Sequence, residues 1–166
     1  KKGGFLYTDK EYGDFVLKLE FQLTPGANNG LGIRTPMGGD PAYVGMELQV
    51  LDDSAPGYKN LKEYQYHGSI YGVVASKRGF QKPVGEWNSE EITAKGRQIT
   101  VKLNGTTIVD ANLDDVKDEE MLKAHRDLSK PEGSRGIANT KGHIGFLGHG
   151  ARGLNILRRL RLRQVD

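Results

Sequence analysis

The residues most able to do chemistry are four polar side chains that occupy the same phase in three successive alternating segments. They are Glu20, Arg34, Glu47 and Gln49. Carboxylate, amide and guanidinium groups of this kind hydrogen-bond to the hydroxyl groups of sugars. A carboxylate in such a row could also act as a general base. The alternative is a solvated sheet face, whose cross-strand ion pairs each add only a few tenths of a kcal/mol.

Two histidines have local sequences that could place them at a site. His67 follows an aromatic loop, and its imidazole could act as a general acid, a general base or a metal ligand, or simply bond to the backbone. His149 lies between two glycines, which allow either the close approach of another group or a tight turn. The four histidines show no local metal-ligand spacing. A divalent metal would therefore need a site assembled by the fold, with His67 and His149 as candidate ligands.

Trp87 and the C-terminal arginines are the other chemically distinctive residues. Trp87 is the only tryptophan and precedes a predicted strand, where it could pack in the core, form a lid or form a platform for a sugar ring. The arginines of residues 158–163 alternate with leucine, which indicates an outer strand with one wet face. No helix, aromatic ladder or nucleic-acid motif accompanies them, so we predict no nucleic-acid partner.

These side chains must be positioned by β-strands, because the apolar residues around them alternate with period two. The clearest strand covers residues 14–23, and a turn cluster at residues 24–30 follows it. Apolar residues then resume around Arg34, which predicts a hairpin with Glu20 opposite Arg34. Residues 44–51 form the next predicted strand. If that strand lies nearby, Glu47 joins the row.

Further strands and one helix complete the predicted architecture. The remaining strands are predicted at residues 69–75, 90–94, 98–103, 106–111, 143–147 and 154–162. Asn104-Gly105 predicts a two-residue hairpin turn, because both positions of a type I′ turn need a positive φ. A helical insertion is predicted at residues 114–130. About nine short strands separated by turn signals indicate a sandwich or a barrel.

Composition and charge narrow the class of protein. The 166 residues suffice for one domain with a sizeable core, so residues 1–166 are predicted to form a single β-sandwich domain. The absence of cysteine excludes disulfides and thiol catalysis. The net charge of +3 is spread along most of the chain. No apolar run approaches the roughly 20 residues of a membrane span, so no transmembrane segment is predicted.

Seven sequence motifs occur in the order of a known family. They are YGDFVLKLEFQL, GANNGLGIRTP, GMELQVLDD, HGSIYG, GEWN, ITVKLNGTTIVD and GHIGFLGHG. Each motif alone is weak, but seven in order are fairly specific, and the similarity spans residues 11–163. The chain thus resembles the 3-keto-disaccharide hydrolase domain family. This resemblance implies an all-β fold, a two-sheet antiparallel jelly-roll sandwich of the concanavalin A-like and glucanase-like type.

The sequence departs from the family pattern in three places. The family carries Gln-Asp before its late His-Gly, where this chain has Leu147-Gly148, so one potential acid or ligand beside His149 is absent. The family's closing Phe-Arg-Asn-Ile strand is replaced at residues 157–160. Its opening Asn-Gly-Lys-x-Leu and Trp-rich stretch has no counterpart, which predicts that one or more N-terminal strands are missing from this sequence.

The resemblance implies cleavage of 3-keto-glycosides. A ketone at C3 of a sugar acidifies the hydrogen at C2, so a base can remove it while an electrophile stabilises the enolate oxygen. The leaving group at C1 then departs, and water adds. Glu47 or His67 could be the base, and Arg34, or a divalent metal held by His67 or His149, could polarise the ketone. The other implied substrate-binding residues are Glu20, Asn29, Gln49, Asp52, Tyr71, Trp87 and His149.

Two other functions remain open from the sequence. A non-catalytic, lectin-like module would use the same sandwich to bind carbohydrate. Conventional retaining hydrolysis of the laminarinase type would need a Glu-x-Asp-x-x-Glu strand, which residues 47–52 do not supply. The resemblance also implies an oxidised glycoside or glycan as the partner. It further implies a periplasmic, extracellular or cell-surface location in a bacterium.

Overall fold

The computed structural model describes residues 3–117, 136–149 and 155–165, except for the side chains of residues 155 and 156. These residues form nine β-strands and one short α-helix. The strands are β1 (Gly4–Tyr7), β2 (Phe15–Leu23), β3 (Asn28–Thr35), β4 (Met46–Leu51), β5 (Trp87–Lys95), β6 (Gln98–Leu103), β7 (Thr106–Asn112), β8 (His143–Gly148) and β9 (Asn155–Gln164). Helix α1 spans Pro41–Val44, and single 3₁₀ turns occur at Pro56–Tyr58, Glu63–Gln65, Leu113–Asp115 and Gly136–Ala138.

The strands form two antiparallel sheets that pack face to face. The four-stranded sheet has the order β1-β8-β3-β4, and the five-stranded sheet has the order β7-β6-β5-β2-β9. This arrangement confirms the predicted two-sheet sandwich. We call the side of each sheet that is turned away from the other sheet its outer face.

The alternating pattern of β2 shows how the sequence specifies the sandwich. Phe15 and Phe21 are fully buried, and they belong to one apolar cluster with Leu31 of β3 and Leu48 of β4. Each such side chain contributes roughly 1.5–3 kcal/mol when it leaves water. The intervening residues of β2, such as Glu20, are left on the outer face. The core therefore lies between the sheets, and the polar phase of β2 faces outward.

The predicted first hairpin is wrong. β2 pairs with β5 and β9, whereas β3 pairs with β4 and β8. The chain crosses from one sheet to the other at a corner, where the Asp52 carboxylate accepts a hydrogen bond from the Gly26 N–H at 2.8 Å. The apolar faces of β2 and β3 meet across the core, and period two alone cannot distinguish that arrangement from side-by-side pairing. Glu20 and Arg34 are therefore not cross-strand neighbours.

Other local predictions had mixed outcomes. The Asn104-Gly105 turn is confirmed, because Leu103 pairs with Thr106 and the two turn residues have φ values of 51° and 87°. Residues 69–75 form no regular strand and make only isolated bridges, in which Ile70 pairs with Leu48 and Val74. Strand β1 and helix α1 were not predicted. The segment before α1 does carry a start signal, since Asp40 precedes a proline.

The predicted helix at residues 114–130 falls mostly outside the described residues. Its first residues belong to the 3₁₀ turn Leu113–Asp115, which is followed by non-helical backbone at Val116 and Lys117. Residues 118–135 are not described. Among the helices that the described ranges contain, none is long and apolar enough to cross a bilayer.

Candidate functional site

A polar cavity of about 460 Å³ opens on the outer face of the four-stranded sheet. Strands β3 and β4 form its floor, helix α1 forms one wall, and the chain after β8 and the segment after residue 66 close it. The residues that line it are Asn28, Asp40, Ala42, Tyr43, Glu47, Gln49, Tyr71 and His149. We call this space the Glu47 cavity.

One glycine of β3, Gly30, makes room for the Glu47 side chain. Gly30 pairs with Gln49, and Gly32 pairs with Glu47. A Cβ atom added at Gly30 would lie 2.6 Å from Cδ of Glu47, closer than real Cβ atoms approach. The Glu47 carboxylate therefore lies close against the backbone of β3 at Gly30, and Glu47 is only 4% exposed. Glycine is required here for close packing, which explains part of the glycine content of the chain.

Glu47 is hydrogen-bonded to His149, which directly follows β8. Nε2 of His149 lies 2.9 Å from Oε1 of Glu47, and 36% of the His149 side chain is exposed. The hydrogen bond that His149 donates to the Glu47 carboxylate raises the pKa of His149, and burial only partly opposes that shift. The imidazolium form is therefore favoured next to the carboxylate. The pair combines a proton acceptor with a proton donor in one partly enclosed space.

Gln49 presents an unsatisfied acceptor. Its Nε2 donates to the carbonyl oxygen of Gln65 at 3.2 Å, which fixes the orientation of the amide because a carbonyl accepts only from the nitrogen. Oε1 of Gln49 is buried, and no described residue donates to it. Since buried acceptors are normally paired, this oxygen is suited to a hydroxyl group of a bound molecule.

Tyr71 is held over the cavity by the segment that runs beside β4. The Tyr71 N–H donates to the carbonyl oxygen of Glu47 at 2.8 Å, and the Gln49 N–H donates to that of Ser69 at 3.0 Å. The Tyr71 hydroxyl accepts from Nε2 of Gln65 at 3.0 Å. Because the hydroxyl acts as an acceptor in that bond, its own proton remains free to be donated.

Helix α1 and its N-cap add three lining residues that the sequence reasoning missed, Asp40, Ala42 and Tyr43. Asp40 caps the helix, because its carboxylate accepts from the Ala42 N–H at 3.0 Å, and Pro41 occupies the first turn. The short helix carries Tyr43 to the cavity wall, where burial and the nearby Tyr71 raise the pKa of its hydroxyl. The Asp-Pro pair was the available sequence signal for this element.

The structure brings together four of the ten predicted site residues, namely Glu47, Gln49, Tyr71 and His149. Their predicted roles in catalysis and substrate binding stay predictions. The other six lie elsewhere, for physical reasons that differ from residue to residue. They are Glu20, Asn29, Arg34, Asp52, His67 and Trp87.

Arg34 is a structural residue at one end of the sandwich. Its side chain is fully buried, and it donates to the carbonyl oxygens of Gly13 and Gly96 and to the Asp14 carboxylate, at 3.0, 2.7 and 3.1 Å. Arg34 has a φ of 48°, and the register of β3 with β8 shifts around it. This break in the strand turns the side chain away from the Glu47 cavity. The prediction that Arg34 shares a face with Glu47 is therefore wrong.

His67 is buried against the core rather than exposed in the cavity. Its ring lies 5.0 Å from that of Phe21, and its Nδ1 accepts from the Leu51 N–H at 3.4 Å. Burial lowers the pKa of His67 to about 4, so the imidazole is neutral over most of the pH range. His67 does not line the Glu47 cavity, and its expected placement as base or metal ligand there is corrected.

The predicted pair of metal-binding histidines is not assembled by the fold. His149 borders the Glu47 cavity, whereas His67 contacts Phe21 in the core. Within the part of the chain that the structure describes, no group of three or more His, Cys, Asp or Glu side chains is arranged to hold a metal ion. The described side chains do not fit a divalent metal site, so we derive no chemistry through a metal.

Glu20 and Trp87 lie on the outer face of the other sheet. Glu20 accepts hydrogen bonds from Arg158 and Arg159 at 2.6 and 3.0 Å, and these bonds, chiefly that from Arg158, lower its pKa. The guanidinium of Arg158 also stacks on the Trp87 ring at 3.7 Å. Both predicted substrate-binding residues are thus separated from Glu47 by the full thickness of the sandwich.

Asn29 and Asp52 are close in sequence to residues that line the Glu47 cavity, but neither of them lines it. Asn29 lies at the apolar phase of β3 and borders a small cavity between the sheets, while its neighbour Asn28 lines the Glu47 cavity. Asp52 is buried, and its carboxylate accepts hydrogen bonds from the N–H groups of Gly26 and Ser54. Asp52 therefore stabilises the corner between the sheets, and its predicted placement at the site is corrected.

Comparison with known proteins places the fold in a family. The model of the 3-keto-alpha-glucoside-1,2-lyase-like domain family matches residues 1–163, which confirms the resemblance found in the motifs. No curated protein sequence matches the chain.

Solved structures with the same fold include proteins from two bacteria. Two from Parabacteroides distasonis ATCC 8503, each named a “putative glycosyl hydrolase”, have TM-scores of 0.80 and 0.77. The first is 28% identical and is aligned over 99% of this chain and 84% of its own, and the second is 23% identical, over 100% and 76%. The carbohydrate binding module CBM66 from Bacillus subtilis has a TM-score of 0.61 at 11% identity, over 99% of this chain and 84% of that one. These likenesses confirm the jelly-roll sandwich.

Proposed function

The chain belongs to the 3-keto-alpha-glucoside-1,2-lyase-like domain family, and on that premise we propose that it cleaves 3-keto-glycosides in the Glu47 cavity. The observation that carries this proposal is the hydrogen-bonded pair of Glu47 and His149, which lies in a polar cavity of about 460 Å³. Glu47 is the base in this proposal. His149, in its imidazolium form, is the acid.

The proposed reaction is an elimination followed by the addition of water. Glu47 removes the proton from C2, and the electron pair of the broken C–H bond forms an enolate with the C3 ketone. The enolate collapses with cleavage of the bond between C1 and the leaving oxygen, which His149 protonates. Water then adds across the C1–C2 double bond and gives the free 3-keto sugar. No oxidant is consumed, because the ketone is already present in the substrate.

Neighbouring groups can bind and orient the sugar. The hydroxyl of Tyr71 can donate to the developing enolate oxygen, since its proton is not used by Gln65. Oε1 of Gln49 can accept from a sugar hydroxyl, because no described residue donates to it. Tyr43 and Tyr71 offer aromatic rings at the cavity wall. Each of these residues contributes binding geometry rather than a reacting atom.

Turnover of matched substrates tests the proposal. The protein is incubated with aryl 3-keto-glucosides and with the parent aryl glucosides, with and without a chelator, and release of the aryl alcohol is measured. We expect release from the keto substrates only. Glu47→Gln should lower the rate by about 10²–10⁴-fold, the usual contribution of a positioned base. Glu20→Gln removes an equal charge on the opposite sheet, so it serves as the matched control and should leave the rate unchanged.

Other outcomes point elsewhere. Equal losses in the two glutamate variants would contradict a catalytic role for the Glu47 cavity. Binding of the parent glycan without turnover of either substrate would instead support the non-catalytic carbohydrate-binding module. Loss of activity with chelator would show that a metal participates, contrary to the geometry of the described side chains. We also propose the periplasmic or cell-surface location that the family resemblance implies, which cell fractionation tests.

A further inference from the structure

Strand β9 carries four arginines that the backbone turns to one face. In a regular strand consecutive side chains point to opposite faces, so Arg158 and Arg159 should be separated by the sheet. In the register with β2, however, Glu20 pairs with Arg158 and Lys18 pairs with Arg161. Between these two pairs there are two residues of β9 but only one residue of β2. An extra residue of this kind in one strand is a β-bulge.

The bulge brings Arg159 to the same face as Arg158. Arg159 has a φ of 53°, in the left-handed region that side chains other than glycine rarely adopt. Both guanidinium groups donate to the carboxylate of Glu20, which lies on the outer face of the five-stranded sheet. After the bulge, Arg161 and Arg163 pair with Lys18 and Val16 and continue the same phase. Strained residues and bulges of this kind occur preferentially at functional sites.

Arg159 and Arg161 border an open cavity of about 400 Å³ on this face. Lys18 and Lys102 also line the cavity, where both pair with Glu91 at 2.6 and 3.8 Å. Three carboxylates, Glu20, Glu90 and Glu91, also line the cavity, so the six cations of this face remain in excess. The six are Lys18, Lys102, Arg158, Arg159, Arg161 and Arg163. We call this surface the arginine face.

We propose that the arginine face is a second binding site, which takes an anionic polysaccharide through the carboxylate or sulfate groups of its sugars. Guanidinium groups bind such oxyanions in a bidentate manner, and a row of them along one strand matches a polymer with repeated charges. The choice of a polysaccharide rests on the proposed carbohydrate function, while the charge excess stands independently of it. The site would hold the protein on an acidic glycan while the Glu47 cavity on the opposite sheet remains accessible.

The shape and chemistry of the face argue against nucleic acid or membrane as the partner. Among the described residues that line the cavity none is aromatic, and the nearby Trp87 ring is covered by Arg158, so bases have no surface on which to stack. Leu160 is the large apolar side chain exposed at the bulge, which is too little for membrane insertion. The face can therefore bind a partner chiefly through its positive charge, which suits a polyanion.

Binding to immobilised polysaccharides tests the proposal. We expect the protein to bind polygalacturonate and dextran sulfate, to ignore neutral dextran, and to release the anionic polymers as salt is raised. The double variant Arg161→Gln and Arg163→Gln should bind the anionic polymers roughly tenfold more weakly. The double variant Lys10→Gln and Lys59→Gln removes the same charge from exposed positions elsewhere and should bind nearly as well as the original chain.

Each remaining outcome overturns the proposal. Equal weakening in the two double variants would show only a general charge effect. Tighter binding to duplex DNA or to anionic phospholipid vesicles than to either polysaccharide would assign the face to a different partner. Thermal unfolding is measured for each variant, and an unchanged melting temperature excludes a folding defect as the cause of weak binding. The single variant Arg163→Gln is measured in the same way. Turnover of 3-keto-glucosides should be unchanged in all of these variants, so failure here and failure of the proposed activity are separate results.

Discussion

The outer faces of the two sheets begin from the same sequence pattern and end as different environments. Glu47 and Glu20 both lie at the polar phase of an alternating strand. Glu47 is only 4% exposed and is hydrogen-bonded to His149, because helix α1 and the segment after residue 66 cover its sheet. Glu20 lies on an uncovered sheet among arginines.

The comparison shows what distinguishes a partly enclosed site from a solvated sheet face. The decisive factor is whether neighbouring segments cover the sheet, and not which residue types the sheet carries. In the Glu47 cavity water is partly excluded, so a single hydrogen bond changes the proton affinity of His149. On the arginine face solvent and salt screen each ion pair, so individual pairs contribute little to stability. That face can act only through the sum of its charges.

The largest expected effect is a difference in the free energy of unfolding between substitutions of two arginines, one from each sheet. Arg34→Met removes a fully buried guanidinium together with its hydrogen bonds to the carbonyl oxygens of Gly13 and Gly96 and to the Asp14 carboxylate, so we expect a loss of about 3–5 kcal/mol in the free energy of unfolding. Arg163→Met removes an exposed cation and should change that free energy by less than about 0.5 kcal/mol. Urea denaturation of both variants measures the contrast. Similar small losses would show that Arg34 is not the structural residue described above.

A second contrast concerns two glycines. Gly30→Ala forces the Glu47 carboxylate away from β3, since the new Cβ would overlap its side chain. We expect a loss of about 1–3 kcal/mol in stability together with a large fall in keto-glycoside turnover. Gly57→Ala is the matched control, because a Cβ there meets nothing within 4 Å and its φ is not positive. Full activity in Gly30→Ala would break the link between the glycine floor and the position of Glu47.

The pH dependence of stability compares two buried groups. Burial lowers the pKa of His67 from 6.5 to about 4 and raises that of Glu90, on the core face of β5, from 4.5 to about 8. Between pH 6.5 and 4 unfolded His67 takes up a proton that the folded form does not, so stability falls as pH falls. Between pH 4.5 and 8 folded Glu90 keeps a proton that the unfolded form has lost, so stability falls as pH rises.

The two effects oppose each other between pH 4.5 and 6.5, and Glu90 acts alone from 6.5 to 8. We therefore expect a plateau in the free energy of unfolding near pH 5–6, with a decline on either side. Glu90→Gln should abolish the decline above pH 6.5, and His67→Gln should weaken the acid decline. Denaturation at a series of pH values measures both. A Glu90→Gln variant that keeps the alkaline decline would show that Glu90 ionises normally in the folded chain.

The sequence could predict which residues of a single strand share a face, but not which strands are neighbours in a sheet. Glu47 and Gln49 are two residues apart on one strand, so their shared face follows from the strand alone. The proximity of Glu20 to Arg34 required β2 and β3 to be neighbours in one sheet, and nothing in a period-two pattern specifies that. The flanking glycines of His149 marked it only as a candidate, and Tyr71 entered through the family resemblance alone; no local pattern places either of them beside Glu47.

The remaining errors came from single-residue geometry. Arg34 left its expected face because its positive φ interrupts the alternation of β3. Asn29 was chosen from the motif where Asn28 lines the cavity, and a shift of one residue in a strand reverses the face. Tyr43 depended on a four-residue helix that is too short to give a periodic signal. Such features arise from tertiary packing, which sequence periodicity does not encode.

The smallest expected effect concerns the bulge that creates the arginine face. Arg159→Gly keeps the positive φ but removes the steric cost of a side chain there, which is about 1–2 kcal/mol. It also removes one of the two arginines that contact Glu20, an exposed and screened interaction. We therefore expect stability to stay equal or rise slightly while affinity for polygalacturonate falls. If the arginine served mainly to stabilise the strand, unfolding would become easier and polysaccharide binding would not change, so measuring both in the same variant separates a binding role from a structural one.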